Sequence, residues 1–188
     1  VYWGSWFLCP EPKVDDNIYQ TTNFIYLTHW HFDHFDYKTM RSFNKNIKIF
    51  VPKFPSSIMK QELINLGFNN ICEMGHNKEY LLDKNFSIIS HQVEHQDDSI
   101  LIIKVDNKII VNLNDAKPLP SSWKWLVKNF KNPDFMFRSH SLAWSYPTKY
   151  TFDKMDEDFL KKETYMREFL QCIIFLEPKY AVPFASYI

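Results

Sequence analysis

Short apolar runs alternate with helix-like stretches through the first half of the chain. Phe24-Ile25-Tyr26-Leu27 is a continuous apolar run of the kind a buried parallel strand carries. Tyr37 to Asn44 predicts a short helix with Met40 and Phe43 turned inward, and Ile47 to Val51 a second strand, closed by Pro52. Ser56 or Ser57 then caps a helix carrying Ile58, Met59, Leu63 and Leu66, which Gly67 ends. Strand, helix, strand, helix is the order of an α/β layered fold.

From Phe86 the pattern changes. Phe86–Ile89, Ser99–Val105 and Lys108–Leu113 are β-rich runs, and Asp106-Asn107 makes a tight turn between the last two, so an antiparallel meander is expected. Residues 116–152 are rich in Pro, Ser and Trp, with a short helix near Trp123–Phe130 and a strand near Phe135–Arg138. Asp153 caps a long helix whose residues Met155, Phe159, Met166, Phe169, Leu170 and Ile173 recur at three- and four-residue steps, the pattern of a packed face. After Pro178 a last strand, Tyr180 to Val182, is expected.

Composition narrows the class without naming a reaction. The 188 residues suffice for one domain, 1–188, with a sizeable core. Lys+Arg and Asp+Glu balance at 22 each, which gives no reason to expect nucleic acid or an anionic membrane as a partner. Cys9, Cys72 and Cys172 are odd in number and far apart, so neither a disulfide framework nor a C-x-x-C pair is legible. No apolar run approaches the roughly 20 residues of a membrane-spanning helix, and no signal peptide is visible. The expected location is the cytoplasm. The chain opens on Val1 inside an aromatic run and stops at Ile188 in another apolar stretch, so it is expected to be part of a longer chain.

The chemistry concentrates directly after the first strand. His29, His31, Asp33 and His34 fall within six consecutive positions. One loop histidine is ordinarily a surface or hydrogen-bonded residue. Three with an aspartate, at a strand end, match the imidazole and carboxylate donors of zinc, iron and manganese. His29 and His31, two apart, leave extended backbone on the same side. Asp33 and His34 follow as the chain turns, and can serve a second position. Two ions about 3.5–4 Å apart are the arrangement that activates a water and stabilises a leaving group together.

The pattern His29-Trp-His31-Phe-Asp33-His34 resembles the signature of the metallo-β-lactamase superfamily. The resemblance implies an αββα sandwich, incomplete at both ends, with further ligands at the ends of later strands. His95, just before the strand Ile100–Val105, is then preferred over His91 as the third histidine, and Asp115 becomes the bridging carboxylate. The family's final histidine would fall beyond Ile188, with His140 the substitute within the chain. Within the superfamily the chain looks most like the metal domain of CMP-N-acetylneuraminate hydroxylase-like proteins. Trp3…Trp6-Phe7-Leu8…Glu11-Pro12, Leu27 to His34, His95 to Asp98, Asn114-Asp115 and Tyr180 to Tyr187 carry that likeness in order.

The implied activity is a metal-dependent hydrolase with two divalent ions, zinc first and iron or manganese as the others this set suits. His29, His31 and His95 would hold one ion, and Asp33, His34 and Asp115 would contribute to the second. A hydroxide between them would attack a phosphoester, ester or amide, with Asp33 either a ligand or the catalytic group that orients the water. An iron-dependent oxygenase drawing electrons from a Rieske or ferredoxin partner is the alternative, and a non-catalytic metal-binding paralogue the second. Arg138, His140, Trp144 and Tyr146, in the irregular segment, are the substrate-binding candidates. Aromatic rings beside an arginine suit a small molecule bearing a nucleotide, sugar or phosphate.

Overall fold

The computed structural model describes residues 15, 17–56, 58–93, 97–139 and 162–184, with side chains from 166 onward in the last stretch. His95, His140, Trp144, Tyr146, the helix start from Asp153 to Phe159 and the run from Trp3 to Pro12 lie outside the described residues. The chain falls into two compact units, Val1–Tyr80 with Ile89–Ser99, and Leu81–Ile88 with Ile100–Ile188.

The first unit holds a three-stranded parallel sheet in the order β1 (Phe24–Tyr26), β2 (Lys48–Pro52), β3 (Ile71–Met74). Ile25 pairs with Ile49, which in turn pairs with Ile71. Central β2 is apolar on both faces because both are covered, and Ile49, Phe50 and Val51 are all buried. Three helices accompany the sheet: α1 (Ile18–Thr21), α2 (Tyr37–Ser42) and α3 (Ile58–Asn65). Asp36 starts α2 by accepting the Thr39 amide at 2.9 Å. Gly67, at φ +89°, ends α3. Its amide bonds the Ile64 carbonyl and that of Phe68 the Leu63 carbonyl, the paired closure of a Schellman motif. Leu27, Phe35, Met40, Met59 and Leu63 pack with β2 into one core. Strand β3 escaped the sequence pattern because Glu73 interrupts a run only four residues long; Lys60 meets that carboxylate at 2.6 Å.

The other sheet has six strands in the order β4 (Glu79–Asp83), β5 (Phe86–Val93), β6 (Asp98–Val105), β7 (Lys108–Asn114), β8 (Phe135–Ser139) and β9 (Tyr180–Phe184). The first residues of β4 and β6 and the last of β5 belong to the first unit. Strands β6 and β7 are antiparallel, and Asp106 and Asn107 between them both take positive φ, as a two-residue hairpin turn requires. Strands β7, β8 and β9 run parallel, so each step between them is a crossover, made by α4 (Pro120–Phe130) and α5 (Lys162–Leu176). Edge strand β4 alternates exposed and half-buried residues and carries too few apolar positions to be legible. On α5 the buried stripe is Phe169, Cys172 and Leu176, whereas Met166 and Leu170 are exposed. The helix carries apolar residues on adjacent faces, and the one that packs includes Cys172, which behaves as a small hydrophobe.

Candidate metal centre

Strand β1 hands the chain directly to the histidine loop. Leu27 still bonds the Phe50 carbonyl, and His29 is the second residue beyond it. The amides of His34 and Phe35 both bond the His31 carbonyl, so residues 31–35 form a tight turn. The Trp30 and Phe35 rings meet at a tilt, their centroids 4.7 Å apart, and belong to the core packing, Phe35 almost completely buried. These aromatic anchors alternate with the polar residues and fix which way the histidines face. His29 is 1% exposed, and its Nε2 lies 2.8 Å from Nδ1 of His31. The His34 ring lies 4.1 Å from that of His29, and Asp33 Oδ2 approaches His34 Nε2 at 3.5 Å. Thus the structure brings together His29, His31, Asp33 and His34.

Behind His29 stands a carboxylate that sequence reasoning did not select. Nδ1 of His29 is 3.0 Å from Asp98 Oδ1, and Thr28 Oγ1 lies at the same distance. Asp98, itself buried, also accepts the Ser99 amide at 2.6 Å. The carboxylate assigns the proton to Nδ1 and turns the lone pair of Nε2 towards His31, the tautomer that a metal-ligating histidine needs. A chain of hydroxyls ties this corner together. Ser99 donates to the Thr28 carbonyl at 2.7 Å, leaving its oxygen to accept from Tyr26, which in turn accepts from Ser90. Burial raises the Tyr26 pKa, so its hydroxyl stays a donor. The signal in the sequence was Asp98-Ser99, two polar residues opening a strand that continues with the buried apolar run Ile100 to Ile102.

His91 belongs to a separate group. Its Nδ1 bonds Asn77 Oδ1 at 2.8 Å, and the His76 ring lies 4.7 Å away, its own Nδ1 accepting the Gln92 amide. Burial, and then the neighbouring His76, push the His91 pKa down to about 4.

In the second unit, Asp115 follows β7 where the pairing with β8 slips between Asn112 and Asn114. Such irregularities re-aim side chains at strand ends. Asn114, at φ +43°, accepts the amides of Asp115 and Ala116 on its side-chain oxygen, which fixes the backbone at Asp115. Arg138 does not overhang this unit but is buried in it on β8; its guanidinium donates to the Ala116 carbonyl and lies 3.9 Å from Glu168. Trp123 packs against Phe175 and Trp125 against Phe130.

Neutral imidazole nitrogens that converge, with carboxylates nearby and no thiolate among them, are a donor set for zinc, iron or manganese. The residues present therefore fit a divalent ion at His29 and His31. No protein-family model matches the chain. A protein of Mycobacterium tuberculosis named as a Rieske 2Fe-2S iron-sulfur protein is 27% identical over 199 aligned positions, covering 99% of this chain. The chain spans only 38% of that relative's length. Among solved structures, a protein from Veillonella parvula described as a possible metal-dependent hydrolase matches with a TM-score of 0.66 and 15% identity, over 92% of this chain and 66% of its own. Isothiocyanate hydrolase from Delia radicum gut bacteria matches at 0.62 and 18%, over 91% and 65%. The chain has the mixed α/β, metallo-β-lactamase fold.

Proposed function

We propose that this chain is the metal-binding, hydrolytic portion of a longer protein, acting on a small-molecule phosphoester, ester or amide. The observation that carries the reading is the convergence of His29 Nε2 and His31 Nδ1, with buried Asp98 holding the His29 tautomer. His29 and His31, with His95, would hold one divalent ion; Asp33, His34 and Asp115 would contribute to a second. Such ions supply the Lewis acidity that makes water a nucleophile near neutral pH. Asp33 is half-exposed in the same turn and suits the orienting of that water by accepting its hydrogen bond. The balance of 22 basic and 22 acidic residues agrees with a small-molecule substrate rather than a polyanion. Metal analysis of the full-length protein, with ester and phosphodiester turnover, tests the reading. Metal content below one ion per chain, or no turnover of either class with metal bound, overturns it.

One observation favours a second reading, an iron-dependent oxygenase. The mycobacterial relative carries the name of a Rieske 2Fe-2S protein, and most of its length lies outside the region this chain matches. A Rieske or ferredoxin partner would then deliver the electrons, and the same histidines and carboxylates would suit iron. Iron with reductant-dependent oxygen consumption supports this reading. Zinc with hydrolytic turnover removes it.

A further inference from the structure

We infer that the cleft beside His29 and His31 selects a compact, uncharged ester or amide by its apolar end, in preference to a phosphorylated compound. This rests on the hydrolase reading for the reaction, though not for the binding. The cleft has a volume of about 260 Å³ and lies within the first unit. That is just below the ~300–1,000 Å³ of pockets that hold drug-sized ligands. His29 and His31 line it, and its apolar walls are Trp30, Phe54, Ile58 and Met59. Three of those walls are fixed in advance. Met59 is buried in the core, and Trp30 and Phe54 pack against that core. Ile58 opens α3 and is 51% exposed, whereas Met59 beside it is buried.

The polar part of the lining points the same way. Besides the histidines it offers Ser56 and Asp97. Away from the metal position, no lysine or arginine among the described lining residues would pair with a phosphate, and Asp97 adds negative charge there. The apolar walls favour a hydrocarbon group, and the two histidines leave the electrophilic carbon beside the metal position.

Benzyl acetate and benzyl phosphate share a ring and differ in charge, so they are the probes. In hydrolysis of the acetate the water oxygen bonds to the acetyl carbon and the bond from that carbon to the benzyl oxygen breaks. One water proton ends on benzyl alcohol and the other is released with acetate. For the zinc-loaded full-length protein, kcat/KM should be at least tenfold higher for the acetate. In the metal-free protein, benzyl acetate should shift the Met59 methyl resonance saturably and benzyl phosphate should not. Ile58→Lys, at an exposed position, should weaken benzyl acetate about fivefold and narrow the gap between the probes. Equal or reversed preference, no Met59 shift, or an unaffected Ile58→Lys variant overturns the inference. A Met59 shift without turnover of any substrate would instead leave the cleft assignment standing and remove the hydrolase reading.

Discussion

Among its described residues the first unit contains two histidine groups, built differently. At His29 and His31 a carboxylate stands behind one ring and two ring nitrogens turn towards each other. At His76 and His91 an amide oxygen stands behind one ring and a backbone amide occupies the other. Asp98 is an anionic acceptor behind His29, whereas Asn77 is a neutral one behind His91, where burial and then His76 make protonation unfavourable. A histidine's partner, more than the histidine, separates a metal ligand from a packing residue.

The largest effect that could break this contrast is loss of the metal. His29→Ala with His31→Ala should abolish stoichiometric metal, at least a hundredfold in affinity, while His76→Ala should leave metal content unchanged. Elemental analysis after dialysis decides between them. Next comes pH. His91 is protonated in the unfolded chain below about pH 6.5 and neutral in the folded one down to about 4. Unfolding therefore takes up a proton between those values, and stability falls as pH falls through them, by roughly 3 kcal/mol in all. Urea unfolding of metal-free protein at several pH values should show that loss in the wild type and a shallower one in His91→Gln. An identical slope in both would remove His91 as the cause.

Asp98→Asn should weaken metal binding about 10–100-fold, the usual cost of losing the partner of a ligating histidine. Chelator competition measures this, and an unchanged affinity would reduce Asp98 to a packing residue. The smallest expected effect converts one group towards the other. Asn77→Asp places a carboxylate behind His91 and should raise its pKa by about a unit, followed by NMR titration of the ring.

What was legible in the sequence was local. His29 to His34 declared itself because ligand types crowd into one loop after an apolar strand, and Asp106-Asn107 because turn chemistry is carried by the turn itself. The α/β class followed from the order of strands and helices, and the metallo-β-lactamase fold from the resemblance that loop carries. Features set by distant parts of the chain did not show. Asp98 resembles any polar residue opening a strand until His29 is found against it, and Arg138 reads as a substrate-binding candidate until the Ala116 carbonyl and Glu168 account for its burial. On α5 the helical spacing grouped Met166, Phe169, Leu170 and Ile173 on one face, and only packing showed that Phe169 lies with Cys172 and Leu176 while Met166 and Leu170 stay exposed.

The hydroxyl chain from Ser90 through Tyr26 and Ser99 to the Thr28 carbonyl joins the end of an early strand to the start of a much later one. Before that long loop closes, the histidine segment has neither its carboxylate nor its anchored backbone. On the proposed metal-binding reading, the centre should be complete only late in folding, and a newly made chain should pass through a window in which it cannot retain an ion. Once closed, an ion bound only to the folded chain shifts the balance further, by about 2.7 kcal/mol at a free concentration one hundred times Kd. Metal supply should therefore leave the rate of refolding nearly unchanged and slow unfolding instead, a kinetic signature of a centre assembled after the transition state.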